Sequence, residues 1–469
     1  MPDPVPDSEN LNLAQDFPPV PTSEWEKAIA RDLKGADYER KLVWRTEEGL
    51  AVRPYYRQEN LAGVDTGIRR TARGWETVAE TAPGADAIRA DLLHEAGAHA
   101  VQELGFAIAA GVELLASLAS AQPAAASRPI EFVFAVGPSY FIEIAKLRAA
   151  RVLWDQVLAA FGLKGPESVP MRLHARTPRR NKSVYDRHTN LLRVTTEALS
   201  AIIGGCDQLT VEPFGFDEHL AMNLQRILRE ESHLDAVADP AGGSYYIEVL
   251  TDSIAREAWT LFRQVEAAGG CAKALSSGMI EKTLSETRAA RDKAVSNRHR
   301  RLVGVNDYPN LAEKTPGNRF PSSLESSLPQ HRLAEPFEKI RIRTAEHARA
   351  TGRYPKVLLL TRGDVKMREA RANFCLNFFG CAGFDIAQSE VYEGTGAHLI
   401  ILCSSDPEYL PFAQDVCPRV KIPVLVAGNP KEQIAALKQA GVQGFVHAFS
   451  DVVETLTEWQ DKLGIRSAP

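Results

Sequence analysis

The chain has 469 residues, 44% hydrophobic and 25% charged, with a formal net charge of −5 and a pI near 6.2. That length supports more than one domain and a large core, and the mild acidity argues against a nucleic-acid partner held by a broad basic face. The apolar runs read as shorter than the ~20 residues a membrane span requires. The acidic, proline-rich start from Met1 to Pro21 lacks the basic-then-apolar pattern of a signal peptide. The expectation is a cytoplasmic protein with no membrane contact.

Six cysteines (Cys206, Cys271, Cys375, Cys381, Cys403, Cys417) form no close CxxC pair, and the eleven histidines show no HExxH spacing. Reduced, mostly buried thiols and no structural metal are expected.

Residues 1–21 read as a flexible arm. Trp25 to Leu33 reads as a short helix with Thr22 or Ser23 as N-cap and Glu26 completing a capping box. Strand-like pieces follow between Leu42 and Leu61, including Leu50 to Tyr55. Glu95 to Ser120 is apolar at helical spacing. Ile130 to Val136 (IEFVFAV) reads as a buried strand, Tyr140 to Phe161 as a long helix, and Met171 to Ala175 and Gln208 to Glu212 as further strands. A fourth strand is possible near Ile88 to Leu93. Such strand–helix alternation points to a parallel sheet or barrel. Leu311 to Tyr354 reads as a linker, rich in proline and serine early and basic and helical around Glu338 to Arg349. Five strands then alternate with helices: Val357–Leu360, Ile386–Ser389, His398–Leu402, Val424–Ala427 and Gly444–Val446. This pattern reads as a flavodoxin-like doubly wound domain.

The most specific stretch is Asp239-Pro240-Ala241-Gly242-Gly243-Ser244, after Arg229-Glu230-Glu231-Ser232-His233. Proline stops a helix and the glycines allow a sharp turn, so alone it reads as a tight connection. Together with Asn190-Leu191-Leu192-Arg193, Gly204-Gly205, Asp217-Glu218 and Val265-Glu266-Ala267-Ala268-Gly269-Gly270, in that order and spacing, it resembles the methylmalonyl-CoA mutase family. The segment from Ser23-Glu24-Trp25 to Pro54-Tyr55-Tyr56 resembles the part that wraps a partner subunit in that family. The resemblance implies a TIM-barrel-like N-terminal domain for acyl-CoA and a flavodoxin-like C-terminal domain of the cobalamin-binding type. Only twenty residues separate Trp75 from Glu95, where the family carries several strand–helix units, so a truncated barrel is expected, its open edge covered by the arm, by helices or by a partner. The expected division is 1–65 (arm and wrapping segment), 66–310 (incomplete barrel-like domain), 311–354 (linker) and 355–469 (cobalamin-domain-like).

In the catalytic members an Asp-x-His-x-x-Gly run supplies the cobalt's lower axial histidine. The corresponding run here is Asp364 to Arg371, which puts Arg368 at the histidine position and Arg371 at the glycine; arginine cannot ligate a metal. The family's Gly-Gly near the nucleotide tail becomes Gly428-Asn429. The substrate histidine of the His-x-x-Glu-Ala-Gly-Ala run falls on Leu92; adjacent His94 reads as a histidine satisfied by local hydrogen bonds. Glu95 and Glu218 match cobalamin-facing glutamates and read as relics, solvated or locally paired. Arg176, Arg179, Arg180 and Lys182 read either as a solvated loop or as facing CoA phosphates. The segment Arg371 to Phe379 resembles the small subunit of heterodimeric mutases. These features imply a chain without catalytic residues of its own, paired with a catalytic large subunit, with adenosylcobalamin and acyl-CoA belonging to the complex. The alternatives are a mutase subunit holding cobalamin by another mode, and a free-standing binding or chaperone-like protein.

Overall fold

The computed structural model describes residues 18–67, 69–70, 72–78, 84, 86–121, 129–163, 171–313, 326–394 and 396–466. The arm, the proline- and serine-rich start of the linker and Thr395 of the Gly394–Gly396 loop lie mostly or wholly outside them.

Helix α1 (Thr22–Leu33) begins after Pro21, and no side chain caps it; Thr22 hydrogen-bonds Glu59 instead of the helix backbone, so the expected capping box is absent. A short helix α2 (Tyr38–Leu42) and a two-stranded antiparallel ribbon, β1 (Trp44–Arg45) with β2 (Ala51–Val52), complete the N-terminal segment.

Five parallel strands then form an open sheet: β3 (Glu76–Thr77), β4 (Ile88–Arg89), β5 (Glu131–Ala135), β6 (Arg172–Arg176) and β7 (Gln208–Thr210), in the order β3-β7-β6-β5-β4. Chain order would place β3 beside β4. Instead the first strand pairs with the last, Glu76 opposite Gln208, and β3 and β4 form the two edges. The described strands do not close into a barrel.

The two faces of this sheet differ. Phe132, Phe134, Leu173, Ala175 and Leu209 share one face and form the main core with α4 (Ala100–Ala121), α5 (Tyr140–Ala160), α6 (His188–Ile203) and α8 (Tyr245–Ala267). Gly111 permits the tight approach of α4, since a β-carbon there would come 2.7 Å from Phe132 and 2.9 Å from Trp154. Each fully buried large side chain contributes about 1.5–3 kcal/mol. By alternation, the opposite face carries Arg89, Glu131, Val133, His174, Arg176 and Thr210.

The helix expected over Glu95 to Ser120 is two helices, α3 (Asp91–Glu95) and α4. The break is at Gly97, whose φ of +117° suits glycine and whose β-carbon would lie 3.0 Å from Arg288. One window of α4, Ala100–Ser120, is long and apolar enough to cross a membrane by length and composition, contrary to the reading of short apolar runs. Half of that window is buried inside this fold, where α4 packs against α8.

The second sheet has the parallel order β12-β11-β10-β8-β9, formed by β8 (Lys356–Thr361), β9 (Asp385–Ser389), β10 (Leu399–Cys403), β11 (Val424–Ala427) and β12 (Gly444–Val446). Its three central strands, β8, β10 and β11, are near-continuous apolar runs because both their faces are covered. Leu359, Ile401 and Leu425 pack on the side of α12 (Val365–Gly380) and α15 (Val452–Lys462). Leu358, Ile400 and Val426 pack on the side of α13 (Tyr409–Val416) and α14 (Ile434–Gln439).

After α9 (Cys271–Ser276) and α10 (Met279–Ser296), helix α11 (Glu335–Thr351), read in the sequence as the end of a linker, joins both sheets' surroundings. Gln460 of α15 donates to the Ile340 carbonyl at 2.7 Å and to Thr344 at 2.8 Å. The Val184 amide donates to Glu338 at 2.9 Å, and Arg332 grips the same carboxylate through two nitrogens at 2.8 and 2.7 Å.

Candidate functional site

In parallel sheets with helical connections, chemistry gathers at the C-terminal ends of the strands. At those ends of the first sheet a buried ionic chain runs from strand to strand. Arg89 grips Asp91 through two nitrogens at 2.8 and 2.7 Å. Arg176 joins Asp91 at 3.1 Å to Glu212 at 2.7 Å, and the Arg179 Nε donates to Glu212 at 2.9 Å. The Arg179 amide donates to Glu95 at 2.7 Å. Lys182 holds both Glu197 oxygens, at 2.8 and 2.7 Å, with Asn181 donating to the same carboxylate.

Arg176, Arg180 and Lys182 are therefore buried, which overturns the reading of a solvated loop. Their charges, and that of Arg179, point to carboxylates or backbone carbonyls of the chain itself; Arg180 donates to the His331 carbonyl at 3.1 Å. Buried charge is tolerable only with such pairing. Burial pushes the Glu95 carboxyl up, opposed by the Arg179 amide. Burial lowers Lys182 more than Glu197 raises it. Glu95 is thus buried and locally paired, whereas Glu218 is exposed in the first turn of α7 (Glu218–Arg226).

His94 is satisfied not by its own turn but by α4: its Nδ1 lies 3.3 Å from Glu103. Lys146 binds the same Glu103 oxygen at 2.7 Å, Glu143 at 2.6 Å and the Ala135 carbonyl at 2.5 Å. The Ala135 amide completes the cluster by donating to Glu103 at 2.8 Å. Burial, reinforced by Lys146, holds His94 well below its usual value, so it is neutral near pH 7. Burial lifts the Glu103 carboxyl to about 7 against the pull of Lys146. Burial opposes the charge on Lys146, yet its two carboxylates outweigh that and raise it. Leu92, at the family's histidine position, carries no ionisable group. Glu103 and Lys146 escaped the sequence reading; the available signal was a charge on the apolar side of strongly apolar helices.

The Asp239–Ser244 turn is a clamp. Asp239 accepts from the Arg69 amide at 3.2 Å and pairs with Arg148. Arg148 also holds Glu248 at 2.6 Å, and Glu248 accepts from the Gly243 amide at 2.9 Å. Gly243 has φ +81°. The turn thus fixes the start of α8 to the middle of α5.

In the second sheet the strand order reverses between β8 and β10, the position where open α/β sheets take ligands. Here that crevice carries the chain's own side chains. The Glu408 carboxylate accepts from Ser404 at 2.9 Å, Ser405 at 2.5 Å and the Asp364 amide at 3.3 Å. It lies over Gly363, where a β-carbon would collide with it. Arg371 pairs with Asp406 at 3.2 Å, and a β-carbon on Gly428 would come 3.4 Å from its guanidinium. Arg368 is ion-paired with Glu390 at 2.8 Å. The Tyr409 hydroxyl donates to the Ala427 carbonyl at 2.5 Å.

Four cysteines are buried, Cys271 and Cys417 are half-buried, and all six are free thiols.

A protein from Porphyromonas gingivalis W83 named methylmalonyl-CoA mutase small subunit is 32% identical; the alignment covers 98% of this chain and 100% of that protein. It runs over 620 positions and takes in about 460 of the 469 residues here, so about 160 positions have no residue in this chain. The Streptomyces virginiae protein of the same name is 36% identical over 82% of this chain and 66% of its own length. The Escherichia coli K12 methylmalonyl-CoA mutase is 36% identical over 46% of this chain and 31% of its own length. Residues 50–349 match the methylmalonyl-CoA mutase family as a whole, and with relatives at this identity over most of the chain, the protein is a member of the methylmalonyl-CoA mutase family.

Proposed function

We propose that this chain is the small, non-catalytic subunit of an adenosylcobalamin-dependent methylmalonyl-CoA mutase, partnered with a catalytic large subunit that isomerises methylmalonyl-CoA and succinyl-CoA. The observation that carries this reading is the filled crevice at the β8–β10 switch point. The residues present do not fit cobalamin: the axial position is Arg368, tied to Glu390, and a guanidinium has no lone pair to give a metal. Glu408 and Arg371 occupy the space over Gly363 and Gly428. No reaction step is therefore assigned to this chain.

The names of the relatives support a heterodimer. The order of the first sheet supports a truncated TIM-barrel reading, since a first strand beside a last strand is what barrel closure produces. The order of the second supports a flavodoxin-like domain. We assign 1–65 to the arm and wrapping segment, 66–310 to the incomplete barrel, 311–354 to the linker and 355–469 to the cobalamin-domain-like unit. Glu95 and Glu218 are assigned as relics of the cofactor-facing positions. Six free thiols suit a cytoplasmic setting.

The test is titration of the purified chain with adenosylcobalamin, alone and with the large subunit, following the cobalt absorption spectrum. No change with the chain alone, and activity only in the pair, supports the proposal. A stoichiometric base-off spectrum from this chain alone refutes it.

A further inference from the structure

Four aromatic rings form an unbroken chain where α5 and α8 begin. Tyr140 meets Phe141 at 5.2 Å between ring centres, Phe141 meets Tyr246 at 5.2 Å, and Tyr246 meets Tyr56 at 5.6 Å, each pair edge to face. Phe141 is 49% exposed, and Tyr245, beside Tyr246, is 40% exposed; the other three rings are half-buried. No hydrogen bond holds the hydroxyl of Tyr140 or Tyr246 among the described residues. Single exposed apolar side chains are ordinary, but rings gathered in one place mark a contact site.

The same tract anchors the start of the described chain. Arg57, next to Tyr56, donates to the Val20 carbonyl at 2.6 Å and lies over the Trp25 ring, which packs on Tyr55 at 5.3 Å. The chain running back from Pro18 therefore departs close to the Tyr56 end of the platform. Residues 1–17 carry prolines in alternation at Pro2, Pro4 and Pro6. Their charged side chains are all acidic: Asp3, Asp7, Glu9 and Asp16. Arg53 is exposed, donates its amide to the Tyr56 hydroxyl at 3.1 Å and forms no ion pair among the described residues.

Alternating prolines favour the polyproline II conformation, which aromatic-lined surfaces read at a low entropic cost. At roughly 3.1 Å per residue, the stretch from Val5 to Phe17 reaches about 37 Å, more than the length of the ring chain. A tether this short also holds the segment at high effective concentration over the rings.

We propose that the chain's own N-terminal segment, residues 2–17, docks on this aromatic platform in cis. The Pro2–Pro6 stretch lies across Phe141, Tyr246 and Tyr140, whose two phenol hydroxyls donate to its carbonyls. Its acidic side chains face Arg53. The contact belongs to the chain without a partner, so it stands apart from the subunit assignment.

The experiment replaces Val5 with p-benzoylphenylalanine in the full chain, irradiates it in dilute solution and maps the cross-linked peptides by mass spectrometry. Mixing isotopically heavy and light chains separates links within a chain from links between chains. Links within one chain to the peptides holding Tyr140–Phe141, Tyr245–Tyr246 or Tyr56 are expected. Phe141→Ser, with circular dichroism to show that it folds, should weaken them and speed endoproteinase Glu-C cleavage at Glu9 about threefold or more. Pro4→Gly combined with Pro6→Gly, which alters only the docking segment, should do the same. Links that miss these peptides, or that join only separate chains, overturn the proposal, as does wild-type cleavage of the proline variant.

Discussion

Glu408 reaches back across Gly363 so closely that no β-carbon fits between them. Gly363 also holds φ +84°, so alanine there meets both backbone strain and collision. Gly363→Ala should cost about 1–3 kcal/mol and shift Glu408 off its serine and amide donors. The urea midpoint and the amide resonances of Asp364 and Ser405 would report this; an unchanged midpoint would show that the Glu408 lid moves freely.

Restoring the histidine alone should not restore cofactor binding. Arg368→His leaves Glu408 and Arg371 in the crevice, so the variant's cobalt spectrum should match the wild type's on titration with adenosylcobalamin. A base-off spectrum from this single substitution would mean that the crevice opens at little cost and that the side chain at 368 was the whole barrier.

Lys146 stands between two buried carboxylates. Lys146→Met leaves them unpaired, and breaking a buried pair from one side costs about 3–5 kcal/mol. The folded state holds the Glu103 carboxyl up at about 7, above its ordinary 4.5. Its contribution to stability is therefore whole below 4.5 and lost as pH rises through about 7. Chemical denaturation at pH 5 and pH 8 should show a smaller defect for Lys146→Met at the lower pH, and Glu103→Gln in the same background should remove that difference.

His99 caps α4 reciprocally: its Nδ1 accepts from the Gln102 amide at 3.3 Å while its own amide donates to the Gln102 side chain at 3.2 Å. Burial lowers this imidazole to about 4 from 6.5, and protonation would abolish the acceptor. Stability from this group is present above 6.5 and lost as pH falls through about 4. The loss is at most roughly 3 kcal/mol, and less because the ring is partly exposed. His99→Asn keeps a cap without titrating, so its melting temperature should fall less steeply than the wild type's between pH 6.5 and 4.

The second sheet was legible almost residue by residue, because five short apolar runs separated by helical segments admit few arrangements. The filling of its crevice was not, since Glu408 lies 45 residues from the Gly363 it covers. Arg368 was readable as an absence of histidine, but not its bond to Glu390. In the first sheet, β5 to β7 were expected and the two-residue strands β3 and β4 were barely marked. Arg176 to Lys182 misled, because seven residues rich in cations look like a surface until Asp91, Glu197 and Glu212 arrive from other elements. Gly97 broke an apolar periodicity that otherwise runs unbroken.

The pairing of β3 with β7 brings Glu76 to Gln208 across about 130 residues. Distant contacts of this kind close late, because the intervening chain must first surrender its loop entropy. During synthesis the edge at β7 has no neighbour on that side within the nascent sheet until β3 returns to it, and β7 itself emerges only after β4, β5 and β6. The first strand made is thus the last to be placed, and for that interval the unit is a partly assembled species with an open strand edge, the kind on which chaperones act and from which misassembly starts.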